Sequence, residues 1–132
     1  MTCAFQDLAE TNSKAKVLAA TLDKAVGTFL VANKNPSRKV KEIDNRGSHY
    51  WLARYWSEEL AKQGEDATLK SAFEAAAKEF ADAEEKILKD LVDCQGTPVD
   101  IGGYYHVDHA KADKAMQPSE TLNAIVAKLE KA

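Results

Sequence analysis

Apolar residues recur at helical spacing in several stretches of this chain. The first stretch predicts an amphipathic helix from about Ser13 to Ala32, after the capping candidate Asn12. Its buried face would carry Leu18, Leu22, Ala25, Val26 and Phe29. Asn35-Pro36 ends this helix, and the few residues from Val40 to Ile43 predict a short extended link.

A second helix is predicted from about Ser48 to Gln63, with Gly64 as the residue that terminates it. Five large side chains make one broad face of this helix: Trp51, Leu52, Tyr55, Trp56 and Leu60. An aromatic face can stack on nucleic-acid bases, but basic residues do not alternate with these positions. The pattern therefore favours packing in the core.

The next stretch, Asp66 to Gln95, predicts one long helix of roughly 45 Å, which is longer than a globule of this size needs. Much of its surface is alanine, so another helix can approach it closely. We expect its end to overhang the bundle and to contact a partner. Gly96 and Pro98 close the helix.

Gly102-Gly103 predicts a compact loop that carries Tyr104, Tyr105 and His106. Asp108 is a natural N-cap for a short helix from His109 to Met116; a metal site formed by His106, Asp108 and His109 is the alternative that we do not adopt. Pro118-Ser119 opens a last helix with the buried face Leu122, Ile125, Val126 and Leu129. The chain is thus predicted to be an all-α bundle of about four to five helices, one of them long.

Composition limits the classes of protein that fit. The 132 residues suit a single domain, residues 1–132, and a net charge of −3 with 30% charged residues argues against nucleic-acid binding. Cys3 and Cys94 lack metal-ligand spacing and are expected to be free thiols. Because no stretch approaches about 18 apolar residues, we expect no membrane partner and a cytoplasmic location.

The run from Ser37 to Leu52 has the residues of an anion-binding turn. Gly47 lets the backbone approach a ligand, Ser48 is a good N-cap, and Arg46 can pair with a phosphate or carboxylate beside a helix N-terminus. In the alternative interpretation, Asp44 and Ser48 cap a structural helix and Arg46 pairs with a nearby carboxylate. Both interpretations stay open on the local pattern.

Catalytic chemistry has few candidates along the chain. His49 is the sole general-base candidate near the turn, but hydrogen bonding at the helix start is the role that we favour for it. The sequence contains neither a GxGxxG motif nor a Gly-rich phosphate loop, and the order of residues singles out no acid/base pair. The residues alone therefore predict a helical domain with one anion-binding turn.

Three segments together resemble a known family: Asp44 to Ser48, Gln95 to His106, and Met116 to Asn123. They are similar to the C-terminal end of the monomeric-type NADP-dependent isocitrate dehydrogenases. The resemblance runs from about Leu8 to the terminus, and Ile43 to Tyr50 and Pro98 to His106 are its specific motifs. The family's chains are several times longer.

The resemblance implies that Arg46 corresponds to a basic residue beside the NADP 2′-phosphate. It also implies that the isocitrate and metal ligands, the catalytic lysine and the catalytic tyrosine lie upstream of the matched stretch. A histidine and an Arg-x-Asp pair that complete the phosphate site would precede Met1. We therefore expect no catalytic residues, no metal site and no required cofactor in this chain, with weak NADP or phosphate binding.

The expected function is a non-catalytic binding protein that self-associates as a homodimer, because this segment packs on the rest of a domain in its relatives. One alternative is a subunit that completes a split isocitrate dehydrogenase with a separately encoded fragment. A weak nucleotide or anion binder is the other alternative. The predicted cofactor-binding residues are Asn45, Arg46, Gly47, Ser48 and His49.

Overall fold

The computed structural model describes residues 1–131. Within that range there are seven helices and no strand, which confirms the predicted all-α class but exceeds the predicted four to five helices. In chain order the helices are α1 Thr2–Leu8, α2 Ser13–Val31, α3 Asn45–Lys62, α4 Ala67–Asp82, α5 Glu84–Asp93, α6 His109–Met116 and α7 Glu120–Leu129. Helix α1 was not predicted.

Side-chain caps set the start of most helices. In each case a carboxylate, amide or hydroxyl oxygen accepts a backbone N–H of the first turn, which satisfies a donor that has no partner inside the helix. The capping residues are Asn12, Asp44, Asp66, Asp108 and Ser119. The predicted starts of α2, α6 and α7 are confirmed, because their signals are local.

Helix α3 begins three residues earlier than predicted. Asp44, not Ser48, is its N-cap, and the Ser48 hydroxyl instead donates to the Lys34 carbonyl at 2.6 Å. The other end also differs, because Gln63 leaves the helix in an extended conformation and Gly64 has no left-handed φ. At both ends, neighbouring residues were equally plausible as the helix terminus, and the sequence alone did not decide between them.

The predicted long helix from Asp66 to Gln95 is wrong, since it is divided into α4 and α5 at Ala83 (φ −98°, ψ 7°). In an uninterrupted helix the Phe80 carbonyl would accept the N–H of Glu84. Here the buried Tyr50 hydroxyl donates to that carbonyl at 2.8 Å. Arg54 of α3 also pairs with Glu84 at the start of α5. Helix α3 therefore holds both sides of the break.

Helix α3 lies at the centre of the bundle and packs against α2, α4 and α5, while α7 covers α4 and α5. The predicted aromatic face of α3 enters the core in part: Trp51 is buried and packs with Tyr50 and Tyr55, and Leu60 is fully buried. The rest of that face is half-buried, namely Leu52, Tyr55 and Trp56. The main core cluster comprises Tyr50, Trp51, Ala76, Phe80, Ile87, Leu91 and Ile125.

The link before α3 is a series of bends and turns, not the predicted extended segment. Lys41 takes a left-handed φ of 67° there. Gln95 fastens the link to the end of α5, because its side chain accepts from the Lys41 N–H and donates to the Glu42 carbonyl, each at 2.8 Å. These contacts fix the position from which α3 starts.

The structure bears on three expectations, which concern the cysteines, membrane-spanning helices and the alanine-rich helix. Cys3 and Cys94 are free thiols, as predicted. None of the helices within residues 1–131 is long and apolar enough to cross a membrane. Ala76 on the alanine-rich side of α4 is buried in the core cluster, so this side already has neighbours within the chain. The expected homodimer stays a prediction.

Candidate functional site

The candidate site is a cleft of about 520 Å³ that α3, the segment Met116–Ser119 and α7 surround. Its floor is largely apolar and includes Tyr50, Ala53, Leu91, Leu122 and Val126. Its polar lining includes Arg46, His49, Gln117, Asn123 and Glu130. An apolar cleft with a few polar groups at its edge is the common form of a small-molecule site.

Arg46 is the cation in the lining that the predicted turn contributes. Its Nε and Nη2 donate to Asp44 Oδ2 at 2.8 and 2.6 Å, and its Nη1 donates to the Ala115 carbonyl at 2.8 Å. The same Asp44 uses Oδ1 to accept the backbone N–H groups of Arg46 and Gly47. One carboxylate thus caps α3 and orients the guanidinium.

Asp44 and Arg46 each favour the charged form of the other. Burial by itself would raise the pKa of the Asp44 carboxyl, but the hydrogen bonds from Arg46 and from the Gly47 N–H outweigh it and hold the pKa below its ordinary value. The hydrogen bond to Asp44 likewise raises the pKa of Arg46, against the opposing effect of burial. Both groups are therefore charged at neutral pH.

Arg46 keeps some capacity to bind an anion. A guanidinium has five N–H donors, and the hydrogen bonds to Asp44 and to the Ala115 carbonyl use three of them. Its side chain is 21% exposed and lines the cleft. Two N–H groups thus remain for a phosphate or carboxylate that enters the cleft. Because Asp44 holds the other edge, an anion there would meet a pre-oriented but partly neutralised cation.

The structure separates the five predicted site residues. Arg46 and His49 line the cleft, whereas Gly47 faces a smaller cleft of about 290 Å³ on the side of Lys34 and Trp51. Ser48 is buried and bonded to the chain before α3. Asn45 is exposed in the first turn. The cofactor-binding assignment of these residues stays a prediction, and Arg46 has the geometry that favours it most.

Gly47 has a packing role in this fold. A Cβ at this position would lie 3.0 Å from the Ile43 side chain, so glycine lets the start of α3 lie against the preceding link. The Asp44 carboxylate already occupies the N–H of Gly47. The first-turn donors that the sequence suggested for an anion are therefore engaged by the cap.

Reasoning from the sequence missed the opposite wall of the cleft. The Ala115 carbonyl contacts Arg46, and the Asn123 amide closes the segment before α7 by donating to the Gln117 carbonyl at 2.9 Å. The Ser119 hydroxyl donates to Asp90 at 2.9 Å and fastens α7 to α5. The stretch from Met116 to Asn123 was one of the three segments that resemble the family, and that resemblance is the sequence signal that could have indicated this wall.

The suggested metal ligands form no such site in the part of the chain that the structure describes. There, no group of three or more His, Cys, Asp or Glu side chains is arranged to hold a metal ion. Asp108 instead accepts the Lys111 N–H as the predicted N-cap of α6.

Comparison with known proteins gives a consistent family. The sequence model of the family "Monomeric isocitrate dehydrogenase" matches residues 1–127. The isocitrate dehydrogenase [NADP] of Azotobacter vinelandii is 53% identical over 118 residues, and the isocitrate dehydrogenase [NADP] 2 of Colwellia maris is 50% identical over 118 residues. The isocitrate dehydrogenase [NADP] 2 of Mycobacterium tuberculosis is 47% identical over 113 residues.

These matches cover most of this chain but little of the relatives. The first two alignments cover 89% of this chain and 16% of the relative, and the third covers 86% and 15%. The chain therefore corresponds to a C-terminal-type segment of much longer enzymes.

The expectation that this chain is not an enzyme is wrong, because its relatives at about 50% identity are named as isocitrate dehydrogenases. That expectation rested on the catalytic residues that the resemblance places outside the matched stretch. An active site can be assembled from distant parts of a polypeptide or from several chains, so a segment that matches only part of an enzyme can still belong to its active site.

The match of the family model over residues 1–127, nearly the whole chain, shows the family. This chain belongs to the monomeric isocitrate dehydrogenase family.

Proposed function

We propose that this chain is a working part of an NADP-dependent isocitrate dehydrogenase, in which it helps to bind the 2′-phosphate end of the cofactor. The observation that carries the proposal is Arg46, which lines the apolar cleft and keeps two N–H donors beyond its three hydrogen bonds. The names of the relatives include NADP, which supports the choice of cofactor.

The donor set fits one part of this cofactor. A phosphate matches the free edge of Arg46, and the apolar floor formed by Tyr50, Ala53 and Leu122 suits a flat ring system. One arginine does not make a whole phosphate site, so further cations from outside this segment would have to join it. NADP, when bound, would accept the hydride that leaves the substrate; this chain contributes binding and orientation.

Binding by the isolated chain should be weak. A charge-assisted hydrogen bond contributes about 1.5–3 kcal/mol, and dissociation constants of about 1 mM and 1 μM correspond to about 4 and 8 kcal/mol. Two such bonds supply about 3–6 kcal/mol before the cost of lost ligand freedom is subtracted, so the affinity of the isolated chain for NADP should lie at or beyond the weak, millimolar end of this range.

Calorimetric titration tests the assignment of Arg46. NADP, NAD and inorganic phosphate are each titrated into the wild-type chain, the Arg46→Ala variant and an Arg38→Ala control from the same basic run. We expect NADP to bind better than NAD, and Arg46→Ala to remove that difference while Arg38→Ala keeps it. Equal loss in both variants would place the phosphate on the basic run before α3, and an unchanged Arg46→Ala variant would refute the assignment.

A further inference from the structure

The loop from Asp100 to Asp108, here the tyrosine loop, presents two aromatic rings to solvent. Tyr104 and Tyr105 are 88% and 89% exposed, and their ring centroids lie 5.3 Å apart at an interplanar angle of 84°. Val99 and Ile101 beside them are also exposed. Exposed aromatic residues clustered on one loop are typical of a surface that a partner covers.

The tyrosine loop is braced by its own contacts. Its ends are joined where the Asp108 N–H donates to the Ile101 carbonyl at 2.8 Å, and Lys111 pairs with Asp100 at its base. Gly102 has φ 86°, and a Cβ there would lie 2.6 Å from the Asp108 Cβ. A loop that is ordered before it binds loses less conformational entropy on docking, which favours an interface role.

The charge around the loop restricts the partner. Residues 95–110 contain no lysine or arginine, and Lys111 is paired with Asp100. This stretch therefore offers no free lysine or arginine of its own to attract a nucleic acid or an anionic membrane. It suits a partner surface that is apolar and offers hydrogen-bond acceptors to two phenol hydroxyls.

The length of the relatives indicates which polypeptide can supply that partner surface. This chain matches 16% of the Azotobacter vinelandii enzyme, so most of that polypeptide lies outside the match. We propose that Tyr104 and Tyr105 dock into an apolar pocket on this larger remainder of an isocitrate dehydrogenase, and that the tyrosine loop is a main attachment point of the segment. The proposal rests on the function proposed above.

Chemical nitration of tyrosine, read by mass spectrometry, tests the docking. It compares the isolated chain with a chimaera in which this chain replaces the 118 residues it matches in the Azotobacter vinelandii enzyme. Tyr50, which is 1% exposed, serves as an internal control that reacts slowly in both proteins. We expect Tyr104 and Tyr105 to react at least about tenfold more slowly in the chimaera, since a docked ring reacts only when the interface opens.

Substitution provides the second arm. The double variant Tyr104→Ala, Tyr105→Ala should lower the unfolding midpoint of the chimaera and leave that of the isolated chain unchanged. Val31→Ala, at a 90% exposed position at the end of α2, is the matched control and should change neither.

The outcomes separate this proposal from the proposed function. Tyrosines that stay reactive in a chimaera that forms NADPH would refute the docking and keep the function. Protected tyrosines in a chimaera that forms no NADPH would support the docking and refute the proposed function. Protection in the isolated chain that grows with its concentration would assign the loop to a second copy and overturn the proposal, as would a chimaera that fails to fold.

Discussion

Replacing Asp44 by asparagine should strengthen phosphate binding at Arg46 while it weakens the fold. The amide keeps the Oδ1 acceptor for the N–H groups of Arg46 and Gly47, so the cap of α3 survives. The substitution removes the negative charge of Asp44 and replaces Oδ2, the oxygen to which Arg46 Nε and Nη2 donate. The guanidinium then offers a second edge and its full charge to a ligand.

The magnitude follows from Coulomb's law. Two unit charges about 4 Å apart interact by about 1 kcal/mol in water and about 4 kcal/mol near a protein surface. A phosphate on the free edge of Arg46 would lie farther from Asp44 than that, and salt screens the repulsion further. Removing the repulsion should therefore contribute about 1–2 kcal/mol, which tightens binding by about 5- to 30-fold.

Calorimetric titration of NADP at low ionic strength is the assay. Glu58→Gln is the matched control, since it removes a carboxylate of similar exposure from another arginine: the Glu58 side chain is 32% exposed and pairs with Arg54, and the Asp44 side chain is 27% exposed. We expect tighter binding only in Asp44→Asn. Unchanged or weaker binding in that variant would refute the view that Asp44 and a phosphate compete for Arg46.

The remaining predictions concern the fold. Tyr50→Phe should destabilise the chain by about 1–3 kcal/mol in urea unfolding, because it leaves the buried Phe80 carbonyl without its hydroxyl donor; an unchanged midpoint would contradict this account of the break between α4 and α5. Gly102→Ala should speed hydrogen exchange around the tyrosine loop, because alanine is strained at the φ of 86° that Gly102 adopts. Gly27→Ala should stabilise α2 by about 0.5–1 kcal/mol, because a Cβ at this helical position would meet no atom within 4 Å. The lowered folded-state pKa of Asp44 stabilises the fold above its ordinary value of 3.8, and this contribution is lost as pH falls through the folded-state pKa. The difference in unfolding free energy between wild type and Asp44→Asn should therefore shrink in acid, and a difference that persists would contradict the ion-pair assignment.

Local signals allowed much of the helical fold to be predicted. Asn12, Asp108 and Ser119 start their helices where the sequence indicates, because a cap and the donor that it satisfies lie within a few residues of each other. The break at Ala83 was missed, since its cause is a hydroxyl on Tyr50, far away along the chain.

The candidate site shows the same limit. The sequence identified Arg46 and the helix start beside it, but it did not reveal that Asp44 would occupy both the first-turn donors and one edge of the guanidinium. It also did not indicate that the Ala115 carbonyl would complete the placement of Arg46. Contacts between residues that are distant in sequence decide which hydrogen-bond donors stay free and face the cleft.

The central claim is that this segment serves an NADP-dependent isocitrate dehydrogenase through Arg46. The most direct measurement is the ratio of kcat/KM for NADP to kcat/KM for NAD, in isocitrate oxidation by the chimaera with the Azotobacter vinelandii enzyme. We expect NADPH formation by the unsubstituted chimaera and a fall in the ratio of roughly 10- to 100-fold in Arg46→Ala, since about 1.5–3 kcal/mol of phosphate contact is lost. A chimaera without activity, or a ratio that Arg46→Ala leaves unchanged, would contradict the account.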